Sequence, residues 1–325
     1  MHDPQVIDTT RELFEEARRG DRRSLAKLIS AAERGEALPG IPVASQDDDA
    51  CLCIGITGAP GAGKSTLVSA LTQELLTVEP SAAVLAIDPS SPVSRGALLG
   101  DRVRMQSHSM AQNVFIRSMA TRHHHGGLAL ATQSARRLLQ HCGWPLVLVE
   151  TVGVGQVELD VVKTADVIVV VLNPGWGDEI QANKAGLMEV ADVFVINKAD
   201  RPGLESTRRD LEAVLLNRRA ANRPIIVETV ASKGLGITEL AGAVAKVRRE
   251  LSSNGALATR RIEQLALELE QQVERHLQAA LTSVRQGKVF EDSLQRVAHG
   301  QDSVAAAASQ LAAQVWGRLP EHGNP

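Results

Sequence analysis

Tyrosine is absent from this 325-residue chain, and with three tryptophans and four phenylalanines the aromatic share is only 2%. So few rings leave no series of platforms for stacked bases, and a net charge of −3 with a pI near 6.3 offers no phosphate-neutralising surface. A nucleic-acid partner is not expected. Cysteine is scarce too. Cys51 and Cys53 alternate along an apolar run and Cys142 ends a helical pattern, a spacing that suits packing better than a disulfide framework. No second ligand pair lies near Cys51 and Cys53, which argues against a metal there. Long apolar stretches are also missing. The strongest, Val167 to Leu172, is far too short to span a bilayer, and the opening MHDPQVIDTTRELFEE lacks the apolar centre of a signal peptide. The expectation is no membrane partner and a cytoplasmic location.

What is present is a 44% hydrophobic share, enough for a sizeable core, and one stretch that organises the rest, residues 51–66, CLCIGITGAPGAGKST. An apolar run of β-character feeds Gly58-Ala59-Pro60-Gly61-Ala62-Gly63-Lys64-Ser65, and Thr66 to Leu76 reads as an amphipathic helix. That is a P-loop in its setting of strand, glycine loop and helix. The glycines let successive N–H groups turn inward on a phosphate, and the helix start adds its positive dipole end. Lys64 can reach the β- and γ-phosphates, and Ser65 is placed to ligate Mg²⁺.

Residues 6–19 and 21–35 read as helices broken at Gly20-Asp21, and 36–50 as a connector. Strands are predicted at 52–57, 82–88, 113–117, 146–151, 166–172, 191–196 and 224–229. Helices are predicted near 64–78, 126–141, 155–164, 180–189, 204–217 and 235–252. Continuous apolar strands alternating with helices imply a doubly wound, mostly parallel α/β sheet whose functional loops gather at the carboxyl ends of the strands. The expected division is an N-terminal helical extension at 1–45, the sheet domain at 46–254 and a C-terminal helical arm at 255–325. In that arm Ile262, Leu265, Leu269, Val273, Leu277, Leu281 and Val284 form an apolar stripe at helical spacing, and a last helix capped by Asp302 runs to Trp316. A second subunit over the stripe is favoured against packing back on the same chain.

Four further motifs carry chemistry. Asn197-Lys198-Ala199-Asp200 follows the run Val193 to Ile196. A carboxylate there accepts from guanine N1–H and N2–H, donors adenine does not present in that arrangement, so Asp200 selects GTP over ATP. Asn197 can tie the base edge to the P-loop, the Lys198 stem can lie on the purine face, and the N–H groups of Ala231-Ser232-Lys233-Gly234 can meet guanine O6. Glu150-Thr151-Val152-Gly153 places an acid for the metal or the attacking water and a glycine N–H for the γ-phosphate. Asp88-Pro-Ser-Ser, with Gly96 and Gly100-Asp101-Arg102 beyond it, fits a switch segment around Mg²⁺. Pro174-Gly175-Trp176-Gly177-Asp178-Glu179, followed by Gln181 and Lys184, reads on physics alone as a loop with a glycine hinge.

Taken together, GAPGAGKST, AIDPSSPVSRGALLGDRVRM, ETVGVGQVELDV, NPGWGDEIQANKAGLMEVADVFVINKAD and the helical ends resemble the MeaB/ArgK family of P-loop GTPases, the bacterial counterpart of the methylmalonic aciduria type A protein. The resemblance implies a GTPase chaperone, slow alone and stimulated by its partner. That partner would be an adenosylcobalamin-dependent methylmalonyl-CoA mutase or related acyl-CoA mutase, whose cofactor loading, protection and reactivation it assists. It makes Ser65, Asp88, Asp101 and Glu150 the metal and hydrolysis set, with Lys64, Glu150 and Asp101 catalytic. It also makes 174–188 a partner-sensing switch through Asp178, Glu179, Gln181 and Lys184, and the C-terminal helices a homodimer contact. Arg122-His123-His124-His125 departs from the small, glycine-containing turn that relatives usually carry and reads best as a solvated loop. Two other readings stand beside this one: an ATP-dependent kinase linked to arginine or ornithine transport, and a metal-inserting, nickel-type GTPase.

Overall fold

The computed structural model describes residues 4–36, 38, 41, 51–87, 113–119, 127–151, 153, 159–160, 163–175, 189–216 and 223–317. The chain divides into two compact units, Met1–Gln264 and Leu265–Pro325.

Seven strands build the first unit: β1 (Leu52–Gly58), β2 (Ala82–Ile87), β3 (Val114–Met119), β4 (Leu146–Thr151), β5 (Val167–Leu172), β6 (Val193–Asn197) and β7 (Ile225–Thr229). They form one sheet in the order β3-β2-β4-β1-β5-β6-β7, every pairing parallel. The predicted α/β class and all seven strands are therefore present. β1, β4, β5 and β6 are buried along their whole length, because helices cover both faces. On one face Leu52, Ile54 and Ile56 pack with α3 (Lys64–Leu75) and α6 (Ile237–Ser253), while α5 (Leu204–Leu215) packs beside β6 in the same continuous core. On the other, Cys51, Cys53, Val147 and Val149 pack with α1 (Pro4–Arg18), α2 (Arg22–Glu33) and α4 (Gly127–His141). Burial pushes the Cys51 and Cys53 thiols up to about 12, so both remain neutral packing residues.

The connection after β1 runs to one side of the sheet and that after β4 to the other, so β1, lying between β4 and β5, is the topological switch point. A crevice at its carboxyl end is where such sheets bind ligands. Edge strand β3 is closed by α2, whose Arg22 donates to the Val114 carbonyl at 2.9 Å and lies over the Trp144 ring, while Arg117 of β3 pairs with Glu33. Asp21 caps α2 by accepting from the Arg23 N–H at 2.8 Å, which explains the break between the first two helices.

At the amino-terminal end of the strands sits a buried ionic knot. Asp166, 1% exposed just before β5, accepts from the Cys53 N–H at 2.9 Å, from Arg136 of α4 at 2.8 Å and from Arg261 at 3.1 Å. Arg136 also donates to the Thr164 carbonyl and to Gln264, whose amide donates to the Lys163 and Ala165 carbonyls. Arg260 grips both oxygens of Asp192 just before β6. The start of α7 (Ala256–Arg285) is thus fastened to the sheet by two arginines and a glutamine.

The second unit holds the remainder of α7, then α8 (Lys288–Ala298) and α9 (Val304–Trp316). α8 is not among the predicted helices. The cap of α9 is Ser303, accepting from the Ala306 N–H at 3.1 Å, and not Asp302, whose carboxylate is drawn back onto Arg296 at 2.8 Å. Leu277, Leu281, Val284, Phe290, Leu311 and Trp316 line an apolar groove of about 430 Å³ within this unit. Of the expected stripe, Ile262, Leu269, Val273 and Leu281 are exposed and Val284 is buried. Among the described residues no helix is long and apolar enough to cross a membrane.

Candidate functional site

The P-loop leaves the end of β1 through a position only glycine tolerates. Gly58 has φ +150°, and a Cβ there would lie 2.1 Å from the Val171 carbonyl oxygen of β5. The loop then curls around Lys64, 6% exposed at the start of α3, whose ammonium donates to the Gly58 carbonyl at 2.7 Å and the Ala59 carbonyl at 2.9 Å. Those bonds hold a positive charge inside a cradle built by Gly58, Ala59, Pro60, Gly61, Ala62 and Gly63, the place an anion with several oxygens fits.

Next along α3, the Ser65 hydroxyl donates to Glu150 Oε1 at 2.6 Å. Glu150, buried near the end of β4, stands opposite Ile56 of β1 in the parallel register. A hydroxyl and a carboxylate meeting beside the phosphate cradle are the hard oxygen donors that Mg²⁺ takes, so these two residues fit that ion. Beside them Thr57 donates to the Gly153 carbonyl at 2.9 Å, and the Thr151 hydroxyl lies 3.0 Å from that of Thr57. The two threonines fix the strand end that carries Gly153. Sequence reading does not single them out, although both stand at adjacent strand ends where a hydroxyl can replace a lost ladder bond. Among the described residues no cluster of three His, Cys, Asp or Glu could hold a metal.

The base side is joined to the phosphate side by one amide. Asn197, at the end of β6, donates to the Ala62 carbonyl at 2.8 Å and accepts from the Thr229 hydroxyl at 3.0 Å and the Ala231 N–H at 3.1 Å. Gly63 must lack a side chain for this, since its Cβ would come within 2.5 Å of the Asn197 amide nitrogen. Lys198 follows with φ 59°, the one positive φ outside glycine among the described residues, and its ammonium donates to the Gly61 carbonyl. Such a strained backbone persists only where the surroundings fix it, here by the P-loop bond on one side and the Ala199 N–H to Thr229 carbonyl bond on the other.

Asp200 is exposed at the rim and paired with Lys233 at 2.8 Å, and that hydrogen bond with the lysine's charge holds its carboxyl below the usual range. In the turn at 231–234 the Ala231 N–H serves Asn197, the Lys233 N–H the Val230 carbonyl and the Gly234 N–H the Ala231 carbonyl. Among the described residues the Ser232 N–H is the remaining donor of the four. Thus Lys64, Ser65, Glu150, Gly153, Asn197, Lys198, Asp200 and Ser232 share one edge of the sheet. Asp88, Asp101, Asp178, Glu179, Gln181, Lys184 and His123–His125 lie outside the described residues. Of the 174–188 segment only its start is described. There Gly175 donates to the Thr207 hydroxyl at 2.9 Å, and just before it the buried Asn173 Oδ1 accepts no hydrogen bond from the described residues.

Known proteins match this arrangement. Residues 39–286 fit the family described as methylmalonyl-CoA mutase-associated GTPase MeaB. A Pyrococcus abyssi protein with a provisional GTPase name is 43% identical over 314 residues, covering 94% of this chain and 97% of its own length. GTPase ArgK of Escherichia coli is 36% identical over 83% of this chain and 86% of its own. The mouse mitochondrial methylmalonic aciduria type A homolog is 38% identical over 64% of this chain and 52% of its own. A crystal structure of a protein named LAO/AO transport system kinase superposes with a TM-score of 0.65 at 26% identity, over 97% of this chain and 99% of that one. With the family matched across the whole sheet and its site, the chain belongs to the MeaB family of GTPases.

Proposed function

We propose that the chain hydrolyses GTP to GDP and phosphate and, in doing so, serves as a G-protein chaperone of an adenosylcobalamin-dependent acyl-CoA mutase. The observation that carries the guanine reading is the Asn197 bridge. One side chain binds the P-loop at Ala62 and the turn at Ala231, which supports a phosphate cradle and a base pocket served by the same nucleotide. In that frame the P-loop N–H groups and Lys64 bind the phosphates, and the N–H of Gly153 faces the terminal one. Lys198 lies along the purine, Asp200 accepts from N1–H and N2–H, and the Ser232 N–H meets O6. Ser65 and Glu150 would hold Mg²⁺, which when bound neutralises phosphate charge; Glu150 also lies where it can orient the attacking water. Asp88 and Asp101 belong to the same proposed set.

The mutase partnership is supported by the family description and by the name of the mouse relative. Within it Asp178, Glu179, Gln181 and Lys184 are the proposed sensing segment, and the exposed stripe of α7 a homodimer contact. A second reading, ATP-dependent phosphoryl transfer, draws on the kinase name of the superposed protein. Asp200 weighs against it, because adenine places no pair of donors there.

Two measurements test this. Asp200→Asn weakens GTP binding by about 10- to 100-fold, the worth of losing charge-assisted bonds to the base, and shifts preference toward xanthosine triphosphate. Competition in which ATP displaces GTP from the unaltered protein at equal concentration overturns the base assignment. For the partner, a mutase retained on the immobilised protein with a non-hydrolysable GTP analogue also raises the hydrolysis rate. A panel of such mutases that neither bind nor stimulate overturns the chaperone role while leaving the GTPase intact.

A further inference from the structure

Asp200 and Lys233 come from different loops, and no more than a surface ion pair would be expected of them. Their backbones, however, are not free. The turn bearing Lys233 is closed by the Lys233 N–H to Val230 carbonyl bond and by Gly234 at φ 70°, and the loop bearing Asp200 is tied to Thr229 through the Ala199 N–H. Both loops are then gripped by Asn197. The two loops are therefore held side by side, with the Lys233 ammonium 2.8 Å from Asp200 Oδ2.

A carboxylate offers about four lone-pair sites on its two oxygens. Lys233 uses one site on Oδ2, which leaves one on that oxygen and two on Oδ1, enough for both guanine donors without displacing the lysine. We propose that Lys233 is a positioning and specificity residue of the guanine site: it fixes the plane of the Asp200 carboxylate and supplies the counter-charge that remains when the base covers it. This rests on the guanine reading above.

The energetic reason lies in the difference between free and bound states. Open to water, the pair is screened and contributes little. A base laid against it expels water, which strengthens the ionic attraction and would make a lone carboxylate costly to desolvate. Lys233 thus contributes mainly in the complex, to affinity for guanine, and only through Asp200.

The test is a cycle read by nucleotide binding, with GDP and xanthosine diphosphate as probes. Lys233→Met weakens GDP binding by about tenfold, and Lys233→Arg, which keeps the charge and a donor, restores most of it. Asp200→Asn moves preference to xanthosine diphosphate. In that background Lys233→Met changes xanthosine diphosphate binding by less than about twofold, because no carboxylate remains to be served. Unchanged GDP binding in Lys233→Met, or the same loss in both backgrounds, overturns the role of Lys233 while Asp200 keeps its own. An Asp200→Asn protein that still prefers GDP overturns the guanine reading and this inference together. Lys233 is exposed, so its replacement opens no cavity, and equal melting temperatures across the set establish that binding alone was altered.

Discussion

Lys64→Ala lowers GTP turnover by about 10²- to 10³-fold, the loss typical of removing one preorganised charge from a transferring group. The side chain reaches the phosphate cradle already desolvated and already oriented, held at 2.7 and 2.9 Å by the Gly58 and Ala59 carbonyls, so no reorganisation is required at the moment of reaction. Alanine removes that charge and one donor from each of the two carbonyls, of which Ala59 still accepts from the Ala62 N–H at 3.1 Å, so the cost to the fold is at most about 1–3 kcal/mol. Turnover and nucleotide affinity should therefore fall by far more than stability does. A Lys64→Ala protein that melts near the unaltered one yet turns over GTP at more than a tenth of its rate contradicts the placement of the ammonium at the phosphates.

Much of this site is legible in the sequence because its parts are local. A glycine loop between an apolar run and a helix has one well-known geometry, and the four residues from Asn197 to Asp200 follow a buried strand whose end the sheet must expose. Continuous runs such as Val167 to Leu172 identify strands covered on both faces, and all of them form parallel pairings. What escapes is non-local or decided by competition. Asp302 has the right chemistry for a cap, but Arg296, six residues earlier, binds its carboxylate, so Ser303 takes the position. Lys288–Ala298 follows Gly287 so soon after α7 that its pattern merges with the connector. Lys233 reads only as a backbone donor, since nothing in sequence says that a lysine 33 residues on will face Asp200.

The ionic knot around Asp166 is the largest omission, and it supports the largest stability effect. Its members are spread from Cys53 to Gln264, and only the folded sheet brings them together. Asp166→Ala should destabilise the first unit by about 3–5 kcal/mol, because Arg136, buried on α4, and Arg261 lose the carboxylate that compensates them. Replacing Arg136 by Met and Asp166 by Leu together costs less than the sum of the single changes, since neither charge is then left alone.

The same residue sets a pH dependence whose sign follows from its environment. Burial raises the Asp166 carboxyl, but the Arg136 charge, the Arg261 hydrogen bond and charge and the Cys53 N–H outweigh it and hold it below the ordinary 3.8. A carboxyl depressed on folding contributes its full stability above the unfolded value and loses it as pH falls through the folded one. The difference in urea midpoint between the unaltered protein and Asp166→Asn should accordingly stay constant from about pH 7 to pH 5 and shrink below roughly pH 4. A difference that grows on acidification would mean that the carboxyl is held protonated by its burial, and that the arginines do not govern it.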